Sequence, residues 1–372
     1  MAPAKLSVGL CAALLLAGAI PALAQLSPSE PDPLARIREA AQSNVQACSA
    51  TGETLCEQVA PKIIANAQGD SPLAENLRRL AKILNDRHAK TSAEPSAVAW
   101  AVAAFRDAGF EVHTEKYDVP AAGPKGKLSQ GENVVAEFRG RDNSDEWVLL
   151  GAHLAPLEHG PWTVDSSCDA AEVIEAARDI SQTNVHPRLS IRFVLFTGDM
   201  RKSTGSWAYV RSHRSELDHA RAAIMIRSDC RRMTDYLLNG RPEIEAGVRE
   251  AMKPIDSFGA GNFVAFISSV RTEAFDFLLE GVPTLTAFSA PTTISVDAPA
   301  PIRAPVNIAD IKRNAAIVAV AAFGIAERAT PLGPRQSRTE IESLLDKWGL
   351  ESQMKSTGLW TLWKSGERGR LP

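Results

Sequence analysis

The chain has 372 residues, of which 45% are apolar and 23% charged, a composition typical of a globular protein with a sizeable core. Its 41 Lys and Arg residues nearly balance its 44 Asp and Glu residues, giving a net charge of −3. This balance excludes the basic surplus typical of nucleic-acid-binding proteins, so we expect no nucleic-acid partner.

Residues 1–24 have the pattern of a signal peptide. Lys5 supplies a short positive region, residues 6–20 form an apolar run, and residues 22–24 are a small-residue cleavage site before Gln25. The alternative is an uncleaved anchor, but the run is short for a membrane span. We therefore expect an exported protein, periplasmic or secreted, with no integral membrane segment after cleavage.

Residues 25–70 are predicted to form an N-terminal helical segment, with one helix near residues 34–48 and a second ending near Ala67. Apolar residues recur at helical spacing over residues 71–85 and again over residues 96–108. Strands and helices then alternate. The predicted strands cover residues 111–117, 133–138, 147–153, 189–196, 222–226, 264–267 and 283–288, and the predicted helices residues 170–180, 206–213 and 308–326.

This alternation predicts an α/β fold: a single domain over residues 71–330, with a mixed, mainly parallel sheet flanked by helices. Residues 330–334 read as a linker to a C-terminal extension over residues 331–372, with a helix near residues 338–348. The extension is interpreted as a strap packed on the domain surface, and a lid or partner-binding segment is the alternative.

Three polar residues follow successive predicted strands or open the next helix: His153, Asp165 and Asp199. Ligands of open α/β sheets bind at the carboxyl ends of the strands, so these side chains are candidates for one site. A lone histidine after a strand is usually structural, whereas three such groups in succession suggest a catalytic or metal site, with structural roles as an equal alternative on spacing alone.

The motifs around these residues resemble the zinc aminopeptidase family that also contains glutaminyl cyclases. They are Gly-Ala-His-Leu at residues 151–154, the segments 165–178, 191–198 and 205–210, Gly-Val-Pro-Thr-Leu at 281–285 and Ala-Pro-Val-Asn at 304–307. The resemblance covers roughly residues 71–328. It implies a zinc-exopeptidase fold in which two zinc ions share a bridging Asp and activate water for peptide hydrolysis.

Carried over position by position, the resemblance implies a degenerate metal site. His153 and Asp165 match retained metal ligands, and Asp199 stands at the general-base position, one methylene shorter than the family's Glu. Several family positions are replaced: Ala155 for the Asp that orients the first histidine, Met200 and Ser228 for carboxylate ligands, and Asp297 as a weak substitute for the last histidine.

A catalytic zinc needs three protein ligands and an open position for water, and neither ion retains three here. The sequence therefore favours an exported aminopeptidase-like protein that has lost di-zinc hydrolysis and binds a peptide or other small ligand in the former active-site pocket, or is structural. The alternative is an active metallo-aminopeptidase with reduced or altered metal use. No cofactor is assigned, and zinc stays possible.

Four cysteines follow the signal peptide, an even number that suggests two disulfides in an oxidising compartment. Cys48 and Cys56 flank a turn-rich loop and are one candidate pair, with free buried thiols as the alternative. The resemblance brings Cys168 and Cys230 close to one metal position. They are expected to form a disulfide, recruited metal ligands or unpaired buried thiols.

Overall fold

The computed structural model describes residues 58–85, 93–120, 128–154, 165–199, 202–267, 269–289 and 306–371. The predicted signal peptide, the predicted helix near residues 34–48 and the candidate pair Cys48–Cys56 lie outside these residues. The predicted domain boundary at residue 24 lies there as well, and the boundaries at residues 70 and 330 stay predictions.

One sheet organises the described part of the chain. Its eight strands are β1 (Val112–Pro120), β2 (Leu128–Phe138), β3 (Trp147–His153), β4 (Ser190–Phe196), β5 (Ala220–Arg227), β6 (Asp235–Leu237), β7 (Asn262–Val264) and β8 (Thr284–Phe288). They lie in the order β1-β2-β4-β3-β5-β8-β6-β7. The pairs β3–β4, β3–β5, β5–β8 and β6–β7 are parallel and the others antiparallel.

Helices cover both faces of the sheet. They are α1 (Ala60–Gln68), α2 (Leu73–Asn85), α3 (Ala93–Asp107), α4 (Asp165–Ser181), α5 (Thr204–Ser212), α6 (Glu245–Met252), α7 (Glu273–Leu279), α8 (Ile308–Glu327), α9 (Arg338–Lys347), α10 (Glu351–Thr357) and α11 (Leu359–Ser365). Leu150 and Ile224 point into the main core beneath α4 and α8, whereas Leu149 and Met225 point into a second core beneath α5 and α7. The predicted α/β class, with its mixed and mainly parallel sheet, is confirmed.

Strand β3 lies at the centre of the sheet and positions the site. All seven of its residues are buried, as the nearly continuous apolar run predicts. Its parallel neighbours β4 and β5 end at the same edge, so the residues that follow all three strands meet there. This edge carries His153, Asp199 and Ser228.

The boundaries differ from prediction mainly beyond Arg227. The predicted strand over residues 264–267 is instead β7, which covers Asn262–Val264. The sequence-based prediction contains no counterpart of β6, α6 or α7. All seven residues of α7 are buried, so this helix has no solvent-exposed face, and seven residues are too few to show a clear helical period.

The C-terminal extension packs on α7. Phe275, Leu278 and Leu279 of α7 share a hydrophobic cluster with residues of the extension that include Ile341 and Trp363. Within the described ranges, no helix combines the length and apolar character needed to cross a membrane.

Candidate functional site at the carboxyl edge of the sheet

His153 is the last residue of β3, and only 6% of its surface is exposed. Its Nδ1 lies 3.1 Å from Oε1 of Glu273, the first residue of α7. Burial alone would raise the pKa of Glu273, but the hydrogen bond and charge of His153 outweigh burial and hold that pKa below its usual value. The carboxylate is therefore ionised near neutral pH and accepts a hydrogen bond from the N–H of Nδ1. In a neutral ring, Nε2 is then the nitrogen with the lone pair.

Glu273 is a functional candidate that the sequence analysis missed. The replacement by Ala155 removes the carboxylate that the family resemblance implies beside the histidine, and Glu273 supplies one from 120 residues further along the chain. A glutamate that opens a short apolar stretch is a weak signal by itself. Only the placement of α7 beside the end of β3 reveals the pairing.

Ser228 follows β5 on the opposite side of the site and is fully buried. Its Oγ lies 2.9 Å from Oδ1 of Asp169 and 2.9 Å from Oε1 of Glu172. Its backbone N–H also donates to Oδ1 of Asp169, over 2.8 Å. Asn314 of α8 donates its amide to the same Glu172 oxygen. The serine is thus held inside a network between β5, α4 and α8.

Asp169 and Glu172 are two buried carboxyl groups of α4 that the sequence analysis did not single out. Burial raises the pKa of Asp169 well above its usual value, and the negative charge of Asp229 adds to this rise. Burial, and next the charge of Asp169, raise the pKa of Glu172 in the same way. Oε2 of Glu172 has no hydrogen-bond partner among the described residues. The pair therefore retains a proton to higher pH than ordinary carboxyl groups do.

The predicted disulfide between Cys168 and Cys230 is present, with the two Cα atoms 5.1 Å apart. It joins the first turn of α4 to the chain that follows β5. Because both sulfur atoms are used in this bond, the alternatives of recruited metal ligands and unpaired thiols are wrong for this pair. Asp229 and Cys230 both adopt positive φ angles, 50° and 60°, an uncommon conformation for residues other than glycine.

Asp199 follows β4 and lies at the rim of the site. Its backbone N–H donates to Oγ1 of Thr204 over 3.0 Å, and its Oδ2 lies 3.2 Å from Nζ of Lys202. The aspartate side chain is 18% exposed and that of Lys202 is 45% exposed. The residue at the predicted general-base position is therefore engaged with a solvent-exposed cation.

Glu94, in the first turn of α3, brings a further carboxyl group to this edge. Burial raises its pKa, although contacts with the Gly198 backbone and with Thr197, together with the charge of His153, oppose the rise. Its Oε2 is buried and has no hydrogen-bond partner within the described ranges. No motif marks Glu94 in the sequence, because it precedes β3 by some fifty residues and reaches the site only through packing of α3.

The remaining predicted site residues are placed only in part. Asp165 is the first residue of α4, and Ala155, Met200 and Asp297 lie outside the described residues. Within the described ranges, no three His, Cys, Asp or Glu side chains are grouped so that they could hold a metal ion. Ser228 is a hydroxyl bound to two carboxyl groups, and Asp199 is paired with a lysine. This donor set does not fit a di-zinc centre.

The mixed sheet, with a histidine at the end of its central strand, resembles the zinc-exopeptidase fold. Residues 133–315 match the model of Peptidase family M28, which confirms the resemblance predicted from the sequence. The match covers 183 of the 372 residues, so this part of the chain is similar to that family.

Individual relatives agree with this assignment. Carboxypeptidase Q of Xenopus laevis is 23% identical over 158 residues, which span 42% of this chain and 33% of that protein. The structure of a Peptidase M28 precursor from Shewanella amazonensis matches with a TM-score of 0.63 at 16% identity, covering 80% of this chain and all of the other. BSAP, a zinc aminopeptidase from Bacillus subtilis, matches with a TM-score of 0.54 at 12% identity, covering 68% and 93% of the two chains.

Proposed function

We propose that this protein is an exported, aminopeptidase-like binding or structural protein that has lost di-zinc peptide hydrolysis. The observation that carries the proposal is the environment of Ser228. At a position where the family resemblance implies a carboxylate ligand, this chain has a hydroxyl held by Asp169 and Glu172. Zinc is bound in proteins mainly by Cys, His, Asp and Glu, so a serine in such a network is a poor replacement.

The count of ligands supports the same conclusion. His153 and Asp165 are the two retained family ligands of the first metal, one fewer than a catalytic zinc requires. The carboxylate of Asp199 is one methylene shorter than the family's general base and is paired with Lys202. A displacement of about 1 Å at a reacting group can cost ~10²-fold in rate.

We further propose that the ligand is a peptide or another small molecule bound at the carboxyl edge of the sheet, where open α/β sheets bind their ligands. Export, to the periplasm or outside the cell, is supported by the pattern of residues 1–24. The Cys168–Cys230 disulfide agrees with an oxidising compartment.

A second function, an active metallo-aminopeptidase with reduced or altered metal use, is favoured by one observation. His153 keeps a carboxylate partner on Nδ1, the arrangement that orients metal-ligating histidines through Nε2. Glu273 in this way compensates for the replacement at Ala155.

Metal content and peptidase activity of the purified mature protein separate the two functions. A binding protein is expected to contain no stoichiometric zinc and to leave aminoacyl-anilides uncleaved, with or without added zinc. A hydrolase is expected to cleave them, and to lose that activity to a chelator and in the variant His153→Ala. The variant Lys364→Ala is the matched control, because Lys364 is exposed and belongs to the C-terminal extension.

A further inference from the structure

Helix α7 lies between the sheet and the C-terminal extension. Ala274 and Phe277 pack toward the sheet, whereas Phe275, Leu278 and Leu279 pack against the extension. The helix has only seven residues, too few to hold its own position without tertiary contacts. The placement of Glu273 beside His153 therefore depends on what packs around α7.

The extension makes a buried ion pair with this helix. Nε of Arg368 lies 2.6 Å from Oδ1 of Asp276, and Nη2 lies 3.0 Å from Oδ2, a bidentate arrangement. Both side chains are almost fully buried, and Ser206 of α5 donates to the same carboxylate over 2.5 Å. The guanidinium also lies 4.9 Å from the ring centre of Trp207. Asp276 is three residues from Glu273, so both carboxylates belong to one turn of α7.

The extension and the linker before it also bind the carbonyl end of α7. The backbone N–H of Arg370 donates to the Leu279 carbonyl over 2.8 Å, and Nε of Arg335 donates to the Glu280 carbonyl over 2.7 Å. The backbone N–H of Gln336 donates to the Gly281 carbonyl over 2.9 Å. Carbonyl groups that a helix end would leave unpaired are thus bound by residues 335–370.

We infer that the C-terminal extension is a positioning element for the His153–Glu273 pair, and that Arg368 is its central positioning residue. The extension fixes α7 through Asp276 and through the carbonyl end of the helix, and α7 in turn holds Glu273 against Nδ1 of His153. This role is independent of whether the site binds a ligand or cleaves one. This role accounts for the burial of Arg368, which is only 2% exposed.

The test is the hydrogen-bonded Nδ1 proton of His153, observed by NMR in the full mature chain labelled with 15N-histidine. The variant His153→Gln assigns the signal. Arg368→Lys keeps the positive charge but loses the bidentate geometry, and we expect the signal to shift or to broaden through faster exchange. Lys364→Ala, in the same extension but 54% exposed and paired with Glu342, is expected to leave the signal unchanged.

Arg368→Ala leaves the Asp276 carboxylate buried without its cation and is the stronger perturbation. Amide exchange in residues 273–279 is expected to rise by about tenfold or more in that variant, relative to exchange in the central strand β3. If Arg368→Ala does not fold, amide exchange in residues 273–279 is measured instead in the two single variants Arg368→Lys and Asp276→Glu. An unchanged Nδ1 signal and unchanged α7 exchange in folded Arg368 variants would overturn the inference.

Discussion

The two sides of the sheet edge differ in how much of a metal-binding arrangement they keep. On the side covered by α7, His153 has a buried carboxylate on Nδ1, as a metal-ligating histidine does. On the side covered by α4, Ser228 is bound between Asp169 and Glu172, and the Cys168–Cys230 disulfide joins the same elements. The α7 side thus pairs an imidazole with a carboxylate, whereas the α4 side is an internal hydrogen-bond network.

This difference lies in the side chains, because one fold carries both sides. The sheet positions both sides equally well, because β3 and β5 are adjacent parallel strands. The two sides differ in the side chains at the strand ends, His153 on β3 and Ser228 after β5. A disulfide and buried hydrogen bonds join the α4 side to the chain after β5, so variants there test stability. Variants on the α7 side test the geometry of the His153–Glu273 pair.

The largest effect is expected on the α4 side from breaking the disulfide. Replacing Cys168 and Cys230 together by Ser is expected to lower the free energy of unfolding by about 4 kcal/mol, because the bond closes a loop of 62 residues in the unfolded chain. Denaturant unfolding of the variant and the parent measures the loss. Equal stabilities would show that this bond does not support the α4 side.

Ser228→Asp adds a third carboxylate to a buried pair and is expected to cost roughly 3 kcal/mol of stability. The added charge cannot be solvated, and Asp169 and Glu172 repel it. Thermal or denaturant unfolding with a chelator present gives the value. Combining Ser228→Asp with Glu172→Gln should recover much of the loss, and no recovery would contradict the network described around Ser228.

The pH dependence of stability follows from the raised pKa values of Asp169 and Glu172. Between the ordinary carboxyl pKa of about 4 and the raised values, the folded state binds more protons than the unfolded state, so stability falls as pH rises. Each unit of raised pKa corresponds to about 1.4 kcal/mol lost above that window. Glu172→Gln is expected to make stability depend less on pH. The free energy of unfolding of the variant and of the parent, each measured at about pH 5 and about pH 8, tests this. Parallel profiles for the two proteins would contradict it.

The smallest effect is expected at the exposed rim. Lys202→Ala removes the ion pair with Asp199, and because Lys202 is 45% exposed we expect a change in stability below about 0.5 kcal/mol. Denaturant unfolding at low and high salt measures it. A loss as large as that for the disulfide would mean that the rim, and not the α4 side, stabilises this edge.

The elements nearest the site could be predicted because their patterns are local. Strand β3 has the predicted bounds, since a buried parallel strand reads as a continuous apolar run. The pairing of Cys168 with Cys230 followed from the family resemblance, which places both residues near one metal position. The missed helix α7 lacks a solvent-exposed face, because every residue in it is buried, its two acidic residues included.

The partners of the predicted residues could not be read from the sequence. Glu273 is 120 residues from His153, and Asp169 and Glu172 are 59 and 56 residues from Ser228. Each is an ordinary acidic residue in its own segment. Their roles arise only when helices close on the sheet and remove the carboxyl groups from water.

A zinc titration of the chelator-treated mature protein tests the central claim most directly. Calorimetry gives the stoichiometry, and NMR of His153 Nε2 reports whether the ring coordinates the ion. The account predicts no saturable uptake of one or two zinc ions at His153. Stoichiometric binding, with coordination of Nε2, would contradict the loss of the metal centre.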